Sequence, residues 1–166
     1  MTGVQTCALP ISKKYLPEYF VSDLDRLKKK ASEVARHIVE EFVERLEVRS
    51  MDPAKQEPMM ERLQREDPYI QFAYVVNAEG GKTTRNITDI ENKAKYELAG
   101  LGDNFSDRSW FISPMKDGKS FVSDFYTSKI TGALCITVSA PIADDDSNIV
   151  GVFGVDIRFE DLVRAE

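Results

Sequence analysis

Apolar residues recur at three- and four-residue steps in the first third of the chain and at two-residue steps further on. In residues 22–49 the positions Leu24, Leu27, Ala31, Val34, Ile38, Phe42 and Leu46 line one face, which predicts a long helix. Ser22 is the expected N-cap, with Asp23 and Asp25 in the first turn, where the helix dipole favours acid. Lys28, Lys29, Lys30, Glu33, Arg36, Glu40, Glu41, Glu44 and Arg45 occupy the other faces. A helix this long exceeds what one sheet needs for cover. Some of the stripe is therefore expected to meet a second copy, giving a homodimer through residues 22–49; the alternative is a long core helix in a monomer.

Pro53 and Pro58 interrupt the pattern, and residues 58–66 predict a short helix with Pro58 in its first turn and Met59, Met60 and Leu63 facing inward. From residue 69 the period becomes two. Ile70–Val76 predicts a strand, Ala78-Glu79-Gly80-Gly81 a turn and Lys82–Arg85 an antiparallel return. Residues 86–104 predict a loop with a helical turn near Lys93–Leu98. Ser106 or Asp107 is the expected cap of a helix through Met115, closed by Asp117-Gly118. Strands follow at Ser120–Ser123, Phe125–Lys129, Ala133–Ile142 and Ile149–Arg158, and a helix starts at Phe159. In the third of these Leu134, Ile136, Val138 and Ala140 share one face, with Cys135, Thr137 and Ser139 on the other. Sequential strands with short connections give an antiparallel sheet. The fold class is α+β, a central antiparallel sheet behind a long N-terminal helix. The expected organisation is a non-native or disordered leader at 1–12 (MTGVQTCALPIS), the helix within 13–50 and a ligand-binding domain over 51–166.

Composition narrows the function classes. With 42% hydrophobic and 30% charged residues the chain is of the globular class. A net charge of −6 argues against nucleic acid as a partner. No stretch approaches the roughly 20 apolar residues of a membrane span, so membrane attachment is expected only through segments absent from this chain. The two cysteines, Cys7 and Cys135, form no metal-ligand spacing, and no metal or cofactor is expected. Cys135 reads as a small buried residue in a strand.

No catalytic constellation is visible. The single histidine, His37, lies among Glu33, Glu40 and Glu41 at helical spacing and reads as solvated. The aspartates of Ala143–Asn148 lack calcium-loop spacing and read as a hairpin tip. Gly151 and Gly154 lie within a strand, which is not the place of a dinucleotide fingerprint. Asn86-Ile87-Thr88 matches a glycosylation sequon, a pattern common by chance.

Asp107-Arg108-Ser109-Trp110-Phe111 stands out instead. An arginine can hold a carboxylate with two hydrogen bonds, a tryptophan supplies a flat wall, and a helix N-terminus favours an anion. The alternative is a core Trp110 with Arg108 in a surface ion pair. Asp156 lies in an apolar strand and needs a partner. Arg108 or the ammonium of a ligand would serve, and Gly154 beside it leaves space. Tyr126 sits among small polar residues in a strand.

With these residues in view, FSDRSWFISPMKDGKSFVSDFYTSKITGALCITVSAPIADDDSNIVGVFGVDIRFEDL (105–162) resembles the ligand-binding half of a single Cache domain, the PAS-like extracytoplasmic sensor of bacterial chemoreceptors, histidine kinases and cyclic-nucleotide signalling enzymes. The long helix and the IQFAYVVNAEGG hairpin extend the likeness over most of residues 20–166. The resemblance implies about five antiparallel strands, a pocket on one sheet face, dimerisation through the long helices and signalling by small shifts of the terminal helices. Amino-acid-sensing members carry an Arg-x-Trp-aromatic motif, a later Tyr and a distal Asp, matched here by Arg108, Trp110, Phe111, Tyr126 and Asp156. By resemblance, Arg108 and Trp110 take a carboxylate and Asp156 an ammonium. Phe111 stands where those members usually have Tyr, and Asp103 and Phe105 stand where a further Tyr is expected. The expected function is a non-enzymatic sensor of a small amino acid or carboxylate, extracytoplasmic by resemblance and cytoplasmic in the alternative. The rival is a dimerising PAS-like module without a ligand.

Overall fold

The computed structural model describes residues 18–164; the leader at 1–12 and Cys7 lie outside them. Helix α1 spans Glu18–Val43 and α2 Leu46–Arg49, separated by Arg45 in an extended conformation. The single helix expected over 22–49 is therefore two, and Ser22 lies inside α1 rather than at its cap. The buried line of α1 runs through Ala31, Ala35, Val39, Phe42 and Val43. It shares only Ala31 and Phe42 with the expected stripe. Leu27 and Val34 are each 37% exposed and Leu46 is 75% exposed.

Helix α3 spans Pro53–Glu66. It starts earlier than expected because Asp52 caps it, accepting from the Ala54 amide at 3.0 Å, and Pro53 takes the first turn. Pro58 lies inside the helix. Met60 and Leu63 face the core as expected.

Strand β1 (Ile70–Asn77) is followed by isolated bridges, Val76 to Lys82 and Ala73 to Ile87, in place of a regular return strand. The short α4 (Lys93–Tyr96) confirms the predicted helical turn. Helix α5 (Ser109–Asp117) has Arg108 at its N-cap with no side-chain cap bond, so neither Ser106 nor Asp107 caps it; Gly118 closes it at φ 68°, in the left-handed region. Strands β2 (Phe121–Val122) and β3 (Tyr126–Thr127) are shorter than expected, while β4 (Leu134–Ala143) and β5 (Ile149–Arg158) lie where the period of two placed them. Helix α6 spans Phe159–Arg164.

The sheet is antiparallel with order β1-β5-β4-β2, and β3 also pairs with β4. Both faces are covered, so β1 and β5 are buried almost throughout. On one face Ala73, Val75, Ile136, Val138, Phe153, Val155 and Ile157 pack with α1, α2, α3 and α6. Phe42 and Phe153 anchor this layer with ring centroids 4.4 Å apart. Truncating a core phenylalanine of this kind costs about 3–5 kcal/mol. On the other face Phe72, Tyr74, Val76 and Val152 pack with Phe105, Trp110 and Phe111. A register shift between Ile70 and Phe72 turns Gln71 onto this second face, where it accepts from Cys135 at 3.4 Å and donates to Thr131 at 2.6 Å. Arg36 of α1 reaches Ser120, just ahead of the edge strand β2, and bonds its carbonyl at 2.6 Å and its hydroxyl at 2.8 Å.

Candidate ligand-binding site

The strand register lays out the floor of the second face in rows. Phe72, Asp156 and Thr137 are aligned across β1, β5 and β4, and Tyr74, Gly154 and Ser139 form the next row. Tyr126 on β3 pairs with Cys135 at the edge. The roof is α5, whose Trp110 carbonyl accepts from Ser139 at 2.6 Å.

Asp156 is fully buried. Its Oδ1 accepts from Thr137 at 2.6 Å and from Tyr126 at 3.1 Å, and its Oδ2 has no hydrogen-bond partner. Burial pushes the carboxyl up to about 6, while the Thr137 and Tyr126 hydroxyls, Lys82 and Tyr74 pull it back. The Tyr74 hydroxyl also acts on this carboxylate, and Oδ2 is a buried oxygen with no partner in bonding geometry.

Trp110 is buried, 5.2 Å from the Tyr74 ring in an edge-to-face arrangement and 6.0 Å from Phe105. Phe111 is buried in the same aromatic layer. Arg108 is 43% exposed at the head of α5 and lies 3.5 Å from Asp107. It does not pair with Asp156, so the ion pair that the apolar strand left open does not form. The two charges still act on one group. Burial raises the Tyr74 phenol well above its ordinary value, Asp156 adds to this and Arg108 opposes it.

Gly154 does not leave an empty space. A Cβ there would stand 2.6 Å from Cε2 of Tyr74, so the missing side chain admits the tyrosine ring.

One buried cation escaped the sequence reading. Lys82 is 3% exposed. Its ammonium donates to Asn86 Oδ1 and to the Ala99 carbonyl, the latter at 2.9 Å, and lies 5.2 Å from the centre of the Tyr74 ring. Burial lowers it to about 8, and Asp156 is the strongest charge opposing that shift. A lysine after a Gly-Gly turn carries no signal of burial. Thr137 did carry one, since it alternates with Cys135 and Ser139 on the polar side of an otherwise apolar strand. Asn86, within the sequon-like triplet, is 2% exposed and engaged with Lys82.

The remaining polar features lie elsewhere. His37 is solvated beside Glu41 at 3.6 Å, and the Asp144–Asn148 segment forms the exposed β4–β5 turn. A cleft of about 470 Å³ between α3 and the segment 85–97 is internally paired, with Arg85 bonded to Glu57 and Glu61.

The methyl-accepting chemotaxis protein-like family, first PDC sensor domain, matches residues 56–164, most of the chain. The chain belongs to this family of sensor domains. The Cache/PDC resemblance read from DRSWF and the GVFGVDI strand is thereby established, and with it the α+β, PAS-like class. The sensory domain of the Campylobacter jejuni chemoreceptor Tlp3, solved with isoleucine bound, matches at TM-score 0.58 and 20% identity, covering 85% of this chain and 56% of that one. The Escherichia coli DcuS sensor domain matches at TM-score 0.58 and 13% identity, covering 84% of this chain and 96% of that one. At these identities the likeness is one of fold. A protein of Syntrophus aciditrophicus strain SB named citrate (Re)-synthase is 55% identical over 152 residues, 92% of this chain and 24% of that protein. This chain spans about a quarter of that relative, and the activity in its name is not carried over with the shared quarter. No helix among the described residues is long and apolar enough to cross a membrane.

Proposed function

We propose that this PDC domain is a non-enzymatic sensor of a small amino acid or carboxylate. In this reading residues 51–166 form the ligand-binding domain, it works outside the cytoplasm, and it reports through its terminal helices. The observation that carries the reading is the partnerless Oδ2 of Asp156, a buried carboxylate oxygen held in place by two hydroxyls on its other oxygen. An ammonium would complete it. The head of α5 supports the other half of the reading: it has no side-chain cap, and Arg108 stands at the N-cap, a combination suited to a carboxylate. Trp110, Phe111 and Tyr126 would enclose the ligand body. The isoleucine in the Tlp3 structure gives a precedent for an amino acid on this fold.

Dimerisation belongs to the same proposal. Leu27, Ala31, Val34 and Ile38 keep seven-residue spacing on α1, with Leu27 and Val34 exposed, and a second copy of α1 would cover them.

Thermal-shift screening with amino acids and small organic acids tests the site. At about a hundredfold excess over Kd the expected stabilisation is about 2.7 kcal/mol, or about 5–10 °C for a chain of this size. Arg108→Ala and Asp156→Ala should each abolish the shift. Undiminished binding in both variants would reject the assignment. A screen without hits, together with a dimeric mass, would favour the ligand-free interaction module.

A further inference from the structure

We propose that Lys82 is a specificity-determining residue of this pocket and that the ligand is an amino acid carrying a second carboxylate. The inference rests on the sensor reading above and names the ligand class within it.

Lys82 enters the second face of the sheet from the segment after β1, and its ammonium stands over Tyr74. Trp110 meets the same ring at its edge, and Gly154, two residues before Asp156, lies beneath it. The aromatic ring thus has the buried cation, the buried anion and the roof of the pocket around it. Among the described groups that act on Lys82, Asp156 is the leading negative charge and Asp103, on the exposed loop, the next.

An ammonium has three donors. Two protein acceptors take Lys82, the Asn86 side chain and the Ala99 carbonyl. Neither carries a charge, so neither neutralises it. The leading negative charge acting on it is Asp156, whose buried Oδ2 lacks a hydrogen-bond partner and is the oxygen expected to take the ligand's ammonium. Once a ligand ammonium sits on Asp156, the negative charge serves two cations. Lys82 is then a buried positive charge short of a counter-charge, which is unfavourable. A ligand with one carboxylate at Arg108 does not correct this. A ligand with a second carboxylate does, by placing it on Lys82. Alanine- or valine-like ligands would leave the imbalance, and L-glutamate or L-aspartate would remove it.

The competing explanation is a tie. On that view Lys82 only holds the segment 82–104 together through Asn86 and Ala99. The two differ in what a variant does to selectivity. Isothermal titration of the wild type, Lys82→Met and Lys82→Arg with L-glutamate, L-aspartate, L-alanine and L-valine separates them. The expected result is that the wild type prefers an acidic amino acid by about tenfold or more. Lys82→Met should lose that preference while holding the neutral amino acids within about threefold, and Lys82→Arg should keep it. Equal or tighter binding of alanine or valine by the wild type overturns the proposal, as does a loss in Lys82→Met that is the same for both classes. Where Lys82→Met does not fold, the wild-type preference and the Lys82→Arg result decide. Neutral amino acids bound at least as tightly as acidic ones, with that binding abolished by Asp156→Ala, sink the acidic class alone, whereas no binding of any amino acid or small organic acid sinks the sensor reading with it.

Discussion

Thr137 donates its hydroxyl to Asp156 at 2.6 Å, directly across the β4–β5 register. This is the shorter of two bonds to Oδ1, and it stabilises the ionised form of an acid that burial disfavours. Thr137→Val keeps the shape and removes the donor. It should destabilise the fold by about 1–3 kcal/mol at pH 7. It should also raise the Asp156 pKa above about 6, followed by carboxyl NMR titration. An unmoved titration would mean that the bond does not govern the acid.

Stability should fall as pH rises across the Asp156 window. Its folded value of about 6 lies above the ordinary 3.8. The folded state therefore holds the proton more tightly, and the stability this confers is complete below about 4 and lost as pH climbs through about 6. The shift corresponds to on the order of 3 kcal/mol. Lys82 acts in a separate window: its folded value of about 8 lies below 10.5, so its burial penalty applies below about 8 and is relieved as pH rises from there. Urea denaturation at pH 4 and 7 should show the acid-side advantage in the wild type and its absence in Asp156→Asn. Parallel curves for the two proteins would contradict the buried-acid account.

Gly154→Ala should destabilise by about 1–3 kcal/mol, because the new methyl meets the Tyr74 ring and must displace it. The effect should shrink in a Tyr74→Leu background, since the opposing ring atoms are gone. A double-mutant cycle reads the coupling. Strict additivity would place the cost in the strand backbone instead.

Leu27→Glu combined with Val34→Glu should halve the mass seen by light scattering and leave the melting temperature of the monomer little changed. Both residues are exposed, and neither belongs to the buried line of α1. Phe42 cannot serve this test. It is 2% exposed and stacked near Phe153, so a charge there would unfold the domain rather than separate a dimer. A mass unaffected by the double substitution would remove α1 from the interface.

The sheet was largely legible in the order of residues. Ile149–Arg158 emerged with both ends as read, because a run of β-branched and aromatic residues between a polar turn and a new helix leaves few alternatives. The helix that carries the Arg-x-Trp motif, α5, lies over the sheet face that holds Asp156. Helix ends were less legible. The break at Arg45 and the early start of α3 follow from where α1 meets the sheet and from the Asp52 cap, and local periodicity marks neither. The predicted stripe on α1 was shifted for a related reason. Ala35 and Val39 are small and fit against β4 and β5, whereas Leu27 and Val34 satisfy the same helical spacing on a face that the sheet does not reach.

Local pattern alone settled the long strands β1, β4 and β5 and the motif-bearing helix, because backbone pleat and helical pitch impose their periods on neighbouring residues. Tertiary packing decided where the buried charges lie. Lys82 is distant in sequence from Asp156, and only the bridge of the segment after β1 back onto the sheet buries it near that acid. The same holds for Gly154, whose missing side chain read as room for a ligand until the β1 register put Tyr74 across from it. Burial and charge pairing depend on distances between strands, and those are fixed only when the sheet closes.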